Sequence, residues 1–179
     1  MLKTRKGLTI QADYVWAVSR ILLGFYFLWA FVDKLFGLGF ATCRDQSTGV
    51  VSMSCEQAWL FGGSPTQGYL GSLDGLLAPI FNAMAGNLVV DFLFMFGLFG
   101  VGVALIFGVG MRVAAIGGSL MLFFMYLSSL PLSTNPLIDN HIIYIALMIG
   151  LLSVNKDQKL GFGPTWAKLS LVKKYPNLR

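Results

Sequence analysis

The sequence predicts an all-α integral membrane protein: a four-helix bundle with both termini cytoplasmic and an extracytoplasmic cap between helices one and two. Three observations support this fold class. Hydrophobic residues make up 56% of the 179 residues and charged residues only 12%, whereas a soluble protein is about one quarter charged. Four apolar runs each have about 18 or more residues, the length that crosses a hydrocarbon core of about 30 Å. With four membrane spans, the basic residues outside these runs also fall almost entirely on one side of the membrane.

The apolar runs define the elements in order. We expect a polar lead at 1–14, a four-helix transmembrane domain at 15–154 and a basic tail at 155–179. The predicted helices are 15–40, 87–110, 113–130 and 137–154, and the cap between the first two is 41–86. The first run is too long for a cleavable signal peptide and contains three charged side chains, so it is read as a helix.

The distribution of charge predicts the orientation. The net charge is +5, and the basic residues outside the apolar runs and the cap are Lys3, Arg5, Lys6, Arg112, Lys156, Lys159, Lys168, Lys173, Lys174 and Arg179. With four spans all of them fall on one side, while the opposite loops 41–86 and 131–136 contain only Arg44. This positive-inside pattern places both termini in the cytoplasm. The tail is then expected to face anionic lipid head groups, and nucleic acid is not an expected partner.

The cap segment is long for a simple connection, and such loops are usually functional or folded back onto their own domain. It has apolar patches at 58–61 and 76–84, and we expect a short amphipathic or re-entrant helix after Pro79. Cys43 and Cys55 both lie in the cap. Cysteines outside the cytoplasm tend to pair, so a structural disulfide is expected, worth about 3 kcal/mol at most. A redox-active pair and two reduced thiols are the alternatives; there is no CxxC motif.

Small residues recur at helical spacing in the second and third predicted helices. Gly100, Ala104 and Gly108 are four residues apart, and Ala114 and Gly118 repeat the pattern. Such stripes let neighbouring membrane helices approach closely. We interpret them as packing features.

Ionisable residues inside membrane helices are costly and usually face a partner or a cavity. At about 1.5 Å per residue, Lys34 and His141 both come out about 21 Å above the inner boundary. The predicted polar layer at this depth consists of Asp33, Lys34, Asp91, Asp139 and His141. Asp33 points about 100° away from Lys34, so the two serve different contacts. Either Lys34 faces Asp91 or Asp139 while Asp33 faces the loop, or the reverse.

His141 is the single histidine, which argues against a metal site and is compatible with proton transfer. Tyr144 lies one turn below it on the same face. Asp139 is either its partner or simply a helix N-cap. Arg20 is either an anchor at the inner boundary or the partner of Asp13, seven residues earlier.

Four stretches together resemble a known family: "SRILLGFYFLWAFVDKLFGLGFAT", "GGSPTQGYLG", "LFMFGLFGVGVALIFGVGMRVAAIGGSLML" and "NPLIDNHIIYIALMIGLL". They cover most of residues 19–152. In this order they resemble the DoxX family of four-helix prokaryotic membrane proteins, which includes the DoxD-type subunit of thiosulfate:quinone oxidoreductase. The resemblance implies a multi-pass protein of a prokaryotic cell membrane that takes part in quinone-linked oxidation of sulfur compounds or thiols, as a subunit of a membrane complex.

On that reading quinone is the expected cofactor, and no metal is expected. The expected catalytic residues are His141, Asp139 and Lys34, and the expected quinone-binding residues are Phe27, Trp29, Tyr144 and Arg20. The alternative is a non-catalytic accessory or scaffold subunit in which the polar layer fixes helix packing. A channel or transporter is less favoured, because no broken helix pair or inverted repeat is visible.

Overall fold

A computed structural model describes residues 3–45, 47–133, 135–154 and 159–178, with side chains from residue 12 onward. Regular structure in these ranges is helical, apart from an isolated antiparallel bridge between Arg44 and Val51. The α-helices are α1 (Lys3–Phe36), α2 (Gln67–Leu70), α3 (Ala78–Asn82), α4 (Leu88–Phe107), α5 (Met111–Ser128), α6 (Asn140–Ser153), α7 (Gly163–Trp166) and α8 (Ser170–Lys174). The predicted all-α bundle is confirmed, with α1, α4, α5 and α6 as its members.

The apolar helices make the chain a multi-pass membrane protein. The part of α1 from Ala12 to Phe36, together with α4 and α5, has the length and hydropathy to cross a bilayer. α6 has 14 residues and is therefore about 21 Å long. The prediction of a fourth membrane-length helix at 137–154 is wrong in length, because the Asp139 N-cap starts the helix only at Asn140.

The first helix also differs from its predicted bounds. It starts at Lys3 instead of residue 15, so most of the expected polar lead is helical. Residues 3–14 contain no proline, and nothing in their sequence ends a helix. At its other end α1 stops at Phe36, where Gly37 adopts a positive φ of 66°.

The bundle is ordered α1, α4, α5, α6 around its axis. Extensive contacts join α1 to α4, α4 to α5 and α5 to α6, while α1 and α6 meet only briefly. The buried apolar side chains of the central cluster are Leu23, Phe27, Met95, Leu98, Val101, Leu105, Met111, Ala115, Leu122, Met148 and Leu151. This core leaves the α1–α6 side as the least closed edge of the bundle.

Glycines set the closest helix approach, but not the ones in the predicted α4 stripe. A Cβ added to Gly24 of α1 would lie 2.8 Å from the Ile106 backbone nitrogen, and one added to Gly102 of α4 would lie 2.8 Å from that of Leu28. Gly100 faces open space, so its predicted packing role is wrong. Gly118 does pack, against Met148 of α6 and Val101 of α4.

The cap is folded back onto the bundle, at the helix ends opposite the start of α1. The disulfide between Cys43 and Cys55 is present, and α3 begins at Ala78 with Pro79 in its first turn. α3 buries Ala78 and Phe81 and leaves Ile80 exposed, which confirms a short amphipathic helix. We call this side of the bundle the cap end.

The C-terminal segment folds back onto the opposite side. The Phe162 N–H donates to the Phe107 carbonyl at the end of α4, with N···O 2.8 Å. The Trp166 indole Nε1 donates to the Leu178 carbonyl at 2.6 Å, and Val172 is buried. The turn at Pro176–Leu178 packs beside α5. We call this side, from which α1 also starts, the terminal end.

Candidate functional site

Asp33 anchors the start of the cap to the end of α1. Its carboxylate is buried and accepts three backbone N–H groups, from Phe40 at 3.1 Å, Ala41 at 2.9 Å and Thr42 at 2.9 Å. A buried carboxylate is stable when it is hydrogen-bonded in this way. Asp33 therefore faces the loop, as one of the two sequence readings expected.

Lys34 lies in a different environment from its neighbour. Its ammonium is 5.9 Å from the centroid of the Phe94 ring, a cation–π contact with α4. Among the residues with described side chains it makes no ion pair with Asp91 or Asp139, so the predicted pairing is not observed. The side chain is half-buried at the cap end.

Asp91 anchors the middle of the cap to α4. One of its oxygens accepts the Ser64 hydroxyl at 2.9 Å, the Thr66 N–H at 3.2 Å and the Thr66 hydroxyl at 2.5 Å. Asp91 and Thr66 are both buried. The cap is tied to α5 as well, because the Tyr69 and Ser128 hydroxyl oxygens are 2.7 Å apart.

The predicted polar layer is thus divided into separate local networks at a similar depth. Asp33 and Asp91 hold the cap to α1 and α4, and neither contacts the other members of the layer in the described part of the chain. Only one pair of the predicted layer is in direct contact, and it lies on α6, at the edge of the bundle.

That pair is Asp139 and His141. Oδ1 of Asp139 accepts the backbone N–H groups of His141 at 3.0 Å and Ile142 at 3.2 Å, so Asp139 is the N-cap of α6. Its Oδ2 lies 2.5 Å from Nδ1 of His141. Asp139 therefore caps α6 and also contacts the imidazole of His141. The carboxylate orients the imidazole through Nδ1, which leaves Nε2 as the nitrogen available to another group.

Two tyrosines meet one turn below this pair. The rings of Tyr144 on α6 and Tyr26 on α1 have centroids 5.0 Å apart. Trp29, one turn further along α1, stacks on Phe25 at 5.8 Å and meets the edge of Phe40 at 5.0 Å.

Helix α1 runs toward the cap end and α6 runs away from it. Trp29 follows Tyr26 and His141 precedes Tyr144, so each lies about one turn closer to the cap end than the tyrosine contact. We define the α1–α6 site as Tyr26, Trp29, Asp139, His141 and Tyr144.

Sequence reasoning chose Phe27 for this site and missed Tyr26. Phe27 is 2% exposed and belongs to the bundle core, with its ring at an edge to that of Tyr26, centroids 6.0 Å apart. Tyr26 is about half exposed and extends to Tyr144. A polar aromatic residue within an apolar helix was the signal that could have identified it.

Arg20 lies outside the α1–α6 site. It is fully buried at the terminal end, and its guanidinium donates to the carbonyls of Leu105, of Ile106 at 3.0 Å, of Lys159 at 3.2 Å and of Leu160 at 2.8 Å. Its described hydrogen bonds do not include Asp13. Six residues separate Arg20 from Tyr26, about 9 Å along the helix. The arginine joins α1, the end of α4 and the C-terminal segment.

The cap carries charge near the disulfide. Hydrogen bonds from the Ser47 hydroxyl and from the Thr48 and Ser47 N–H groups lower the pKa of Asp45 to about 2. Asp45 is therefore ionised at neutral pH beside the exposed Arg44, and the two charges offset each other. Cys43 is buried. Where side chains are described, no three His, Cys, Asp or Glu residues are grouped so that they could hold a metal ion.

The α1–α6 site therefore offers an imidazole oriented through Nδ1 and, one turn below it, a pair of tyrosine rings. No protein-family model, no curated protein and no solved structure matches this chain. The apolar helices show a multi-pass membrane protein, and the chemistry of the site has to be argued from its own residues.

Proposed function

We propose that this protein is a membrane subunit of a quinone-linked oxidoreductase that oxidises a sulfur compound or thiol, with quinone bound at the α1–α6 site. The resemblance of its ordered motifs to the DoxX family supports this reading. On this proposal the protein belongs to a prokaryotic cell membrane, with the basic terminal end in the cytoplasm.

The observation that carries the proposal is the contact between Asp139 and His141. A carboxylate on Nδ1 fixes the tautomer and orientation of an imidazole, and its Nε2 is then free to exchange a proton. The pair is partly exposed, with 18% of the His141 side chain and 17% of the Asp139 side chain accessible. The pair lies about one helical turn from two tyrosine rings, at the edge of the bundle where α1 and α6 have few contacts.

The reaction balances in electrons and protons. Two thiols that form one S–S bond lose two electrons and two protons, whereas two thiosulfate ions that join lose two electrons only. A bound quinone would be the two-electron acceptor, and the two protons that its reduction to quinol requires would come from the two thiols or, when thiosulfate is the donor, from water. His141 holds a proton at Nε2 and Asp139 stabilises the imidazolium. Lys34, half-buried at the cap end, attracts the negative charge of the sulfur donor.

The test is quinone reduction by the purified protein in liposomes, with thiosulfate or a dithiol as donor and a short-chain quinone followed by its absorbance. His141→Gln should lower turnover by about 10²- to 10⁴-fold, the usual contribution of a general acid or base. Phe99→Leu, a change at an exposed aromatic residue of α4, is the control and should retain turnover. Unchanged turnover in His141→Gln would show that the imidazole takes no part in the reaction.

A specific observation also favours the accessory-subunit alternative. Asp33, Asp91 and Arg20 each have structural partners, as expected for charges that fix helix and loop packing. Purification in mild detergent followed by intact-complex mass spectrometry separates the two functions. A stoichiometric partner, with quinone reduction by the complex that His141→Gln leaves unchanged, supports the accessory role.

A further inference from the structure

An open groove lies at the terminal end, between the bundle and the C-terminal segment. Its volume is about 470 Å³, and its walls are apolar. The helices contribute Ile21, Ile106 and Phe107, and the C-terminal segment contributes Leu160, Gly161 and Phe162. Phe107 is the last residue of α4, one of the helices long and apolar enough to cross a bilayer, so the groove lies at the terminal end of that span.

The groove depends on a fixed C-terminal segment. Arg20 holds the carbonyls of Lys159 and Leu160, and Phe162 is hydrogen-bonded to Phe107. A Cβ on Gly161 would lie 2.9 Å from Nη2 of Arg20 and 3.0 Å from the Phe107 carbonyl, so glycine favours this close approach. The wall at Leu160–Phe162 is therefore rigidly placed against the helices.

The charge of the C-terminal segment has one sign. Residues 159–179 contain five lysine or arginine residues and no aspartate or glutamate. Lys159, next to the groove wall, is exposed, as are Lys168, Lys173 and Lys174. Asp157, the nearest acid along the chain, lies outside the described residues.

Apolar side chains accompany these lysines. Leu160, Phe162, Leu169, Leu171 and Tyr175 are all exposed at the same end. Exposed apolar and cationic side chains at the end of the membrane-length helices match the two parts of an acidic lipid, its chain and its phosphate.

We infer that the groove holds one acyl chain of an acidic phospholipid, whose phosphate lies against Lys159 and the other exposed lysines of the C-terminal segment. The occupant is a lipid, because the groove is open, its lining is apolar and the exposed lysines of the C-terminal segment are cationic. This inference stands independently of the proposed redox function.

The experiment compares lipids retained by the protein. Wild-type protein and variants are placed in nanodiscs of phosphatidylcholine doped with phosphatidylglycerol, and intact mass spectrometry counts each retained lipid. Lys159→Gln should lower the ratio of retained phosphatidylglycerol to phosphatidylcholine about fivefold, the effect of about 1 kcal/mol for one basic residue near a charged surface. Lys168→Gln/Lys173→Gln/Lys174→Gln should lower it further.

Two control variants test whether the loss of acidic lipid is specific to the groove and its lysines. Arg44→Gln removes an exposed cation at the cap end and should leave the ratio unchanged. Ile21→Trp fills the groove and should displace the retained acidic lipid, whereas Leu22→Trp adds the same bulk on an exposed neighbouring face and should not.

A wild-type ratio in the lysine variants overturns the inference, as does an equal loss in Arg44→Gln, which would indicate attraction to net charge alone. Because the lysines are exposed, their variants should fold, and unchanged unfolding temperatures confirm this. If Ile21→Trp does not fold, the lysine variants still decide the outcome.

Discussion

The rings of Tyr26 and Tyr144 meet with their centroids 5.0 Å apart and join two helices that otherwise touch only briefly. Their contact forms the floor of the α1–α6 site, one turn below His141. A flat ring of a ligand bound there would pack on Tyr26, while its proton exchange would depend on His141. Mutation of Tyr26 should therefore mainly weaken ligand binding, and mutation of His141 should mainly slow turnover.

The first prediction concerns this separation. Tyr26→Leu removes an aromatic contact worth about 1 kcal/mol, so KM for quinone should rise about fivefold with little change in kcat. His141→Gln should show the reverse, a loss in kcat at similar KM. Steady-state kinetics over a range of quinone concentrations provides the measurement. Equal changes in kcat and KM for both variants would contradict the assignment.

The second prediction separates the two roles of Asp139. Asp139→Ser keeps an oxygen able to cap α6 but removes the carboxylate from Nδ1 of His141. Because serine and aspartate are similar N-caps, the unfolding temperature should stay close to that of wild type. Turnover should fall about a hundredfold, since the imidazole loses its oriented partner. Asp139→Ala, which loses both roles, is the comparison and should be less stable by about 1 kcal/mol. Full turnover in Asp139→Ser would limit Asp139 to capping.

The third prediction contrasts the adjacent residues Asp33 and Lys34. Asp33→Ala leaves three backbone N–H groups without their acceptor, so the free energy of unfolding should fall by about 3 kcal/mol or more. Lys34→Met removes one contact with Phe94 and should cost about 1 kcal/mol. Thermal unfolding in detergent measures both. Similar losses for the two variants would contradict the assigned contacts.

The fourth prediction tests whether the disulfide is structural. Cys43→Ser/Cys55→Ser opens a loop closed over 12 residues, which should lower the free energy of unfolding by about 3 kcal/mol. Quinone turnover below the new unfolding temperature should be retained, because Cys43 is buried within the cap. Stable protein with no turnover would instead assign the two cysteines to the redox reaction.

The fifth prediction concerns Arg20. A lysine cannot reproduce the planar set of donors that reaches four carbonyls, so Arg20→Lys should destabilise the protein by about 2 kcal/mol or more. The C-terminal segment should also be cut faster by trypsin at Lys168. Arg112→Lys, an exposed change at the same end, serves as the control. An unchanged rate of cleavage in Arg20→Lys would show that the arginine does not hold the segment.

The membrane character and most of the helix order follow from the amino-acid sequence alone. Apolar runs of sufficient length have to leave water, and this requirement depends on local composition alone. The same local logic identified the cap, the short helix after Pro79 and the paired cysteines. The sequence-based prediction overestimated the length of α6. The apolar sequence includes Leu137 and Ile138, whereas the N-cap at Asp139 starts the helix only after them.

Which charged residues meet depends on the three-dimensional packing of the helices and the cap. Depth along a helix predicted one polar layer, but contact also depends on helix rotation and on where the cap folds. The cap supplied hydroxyl and backbone donors to Asp33 and Asp91, and the returning C-terminal segment supplied carbonyls to Arg20. The pair of Asp139 and His141 was left at the α1–α6 edge, beside a tyrosine contact that no spacing in the sequence marked.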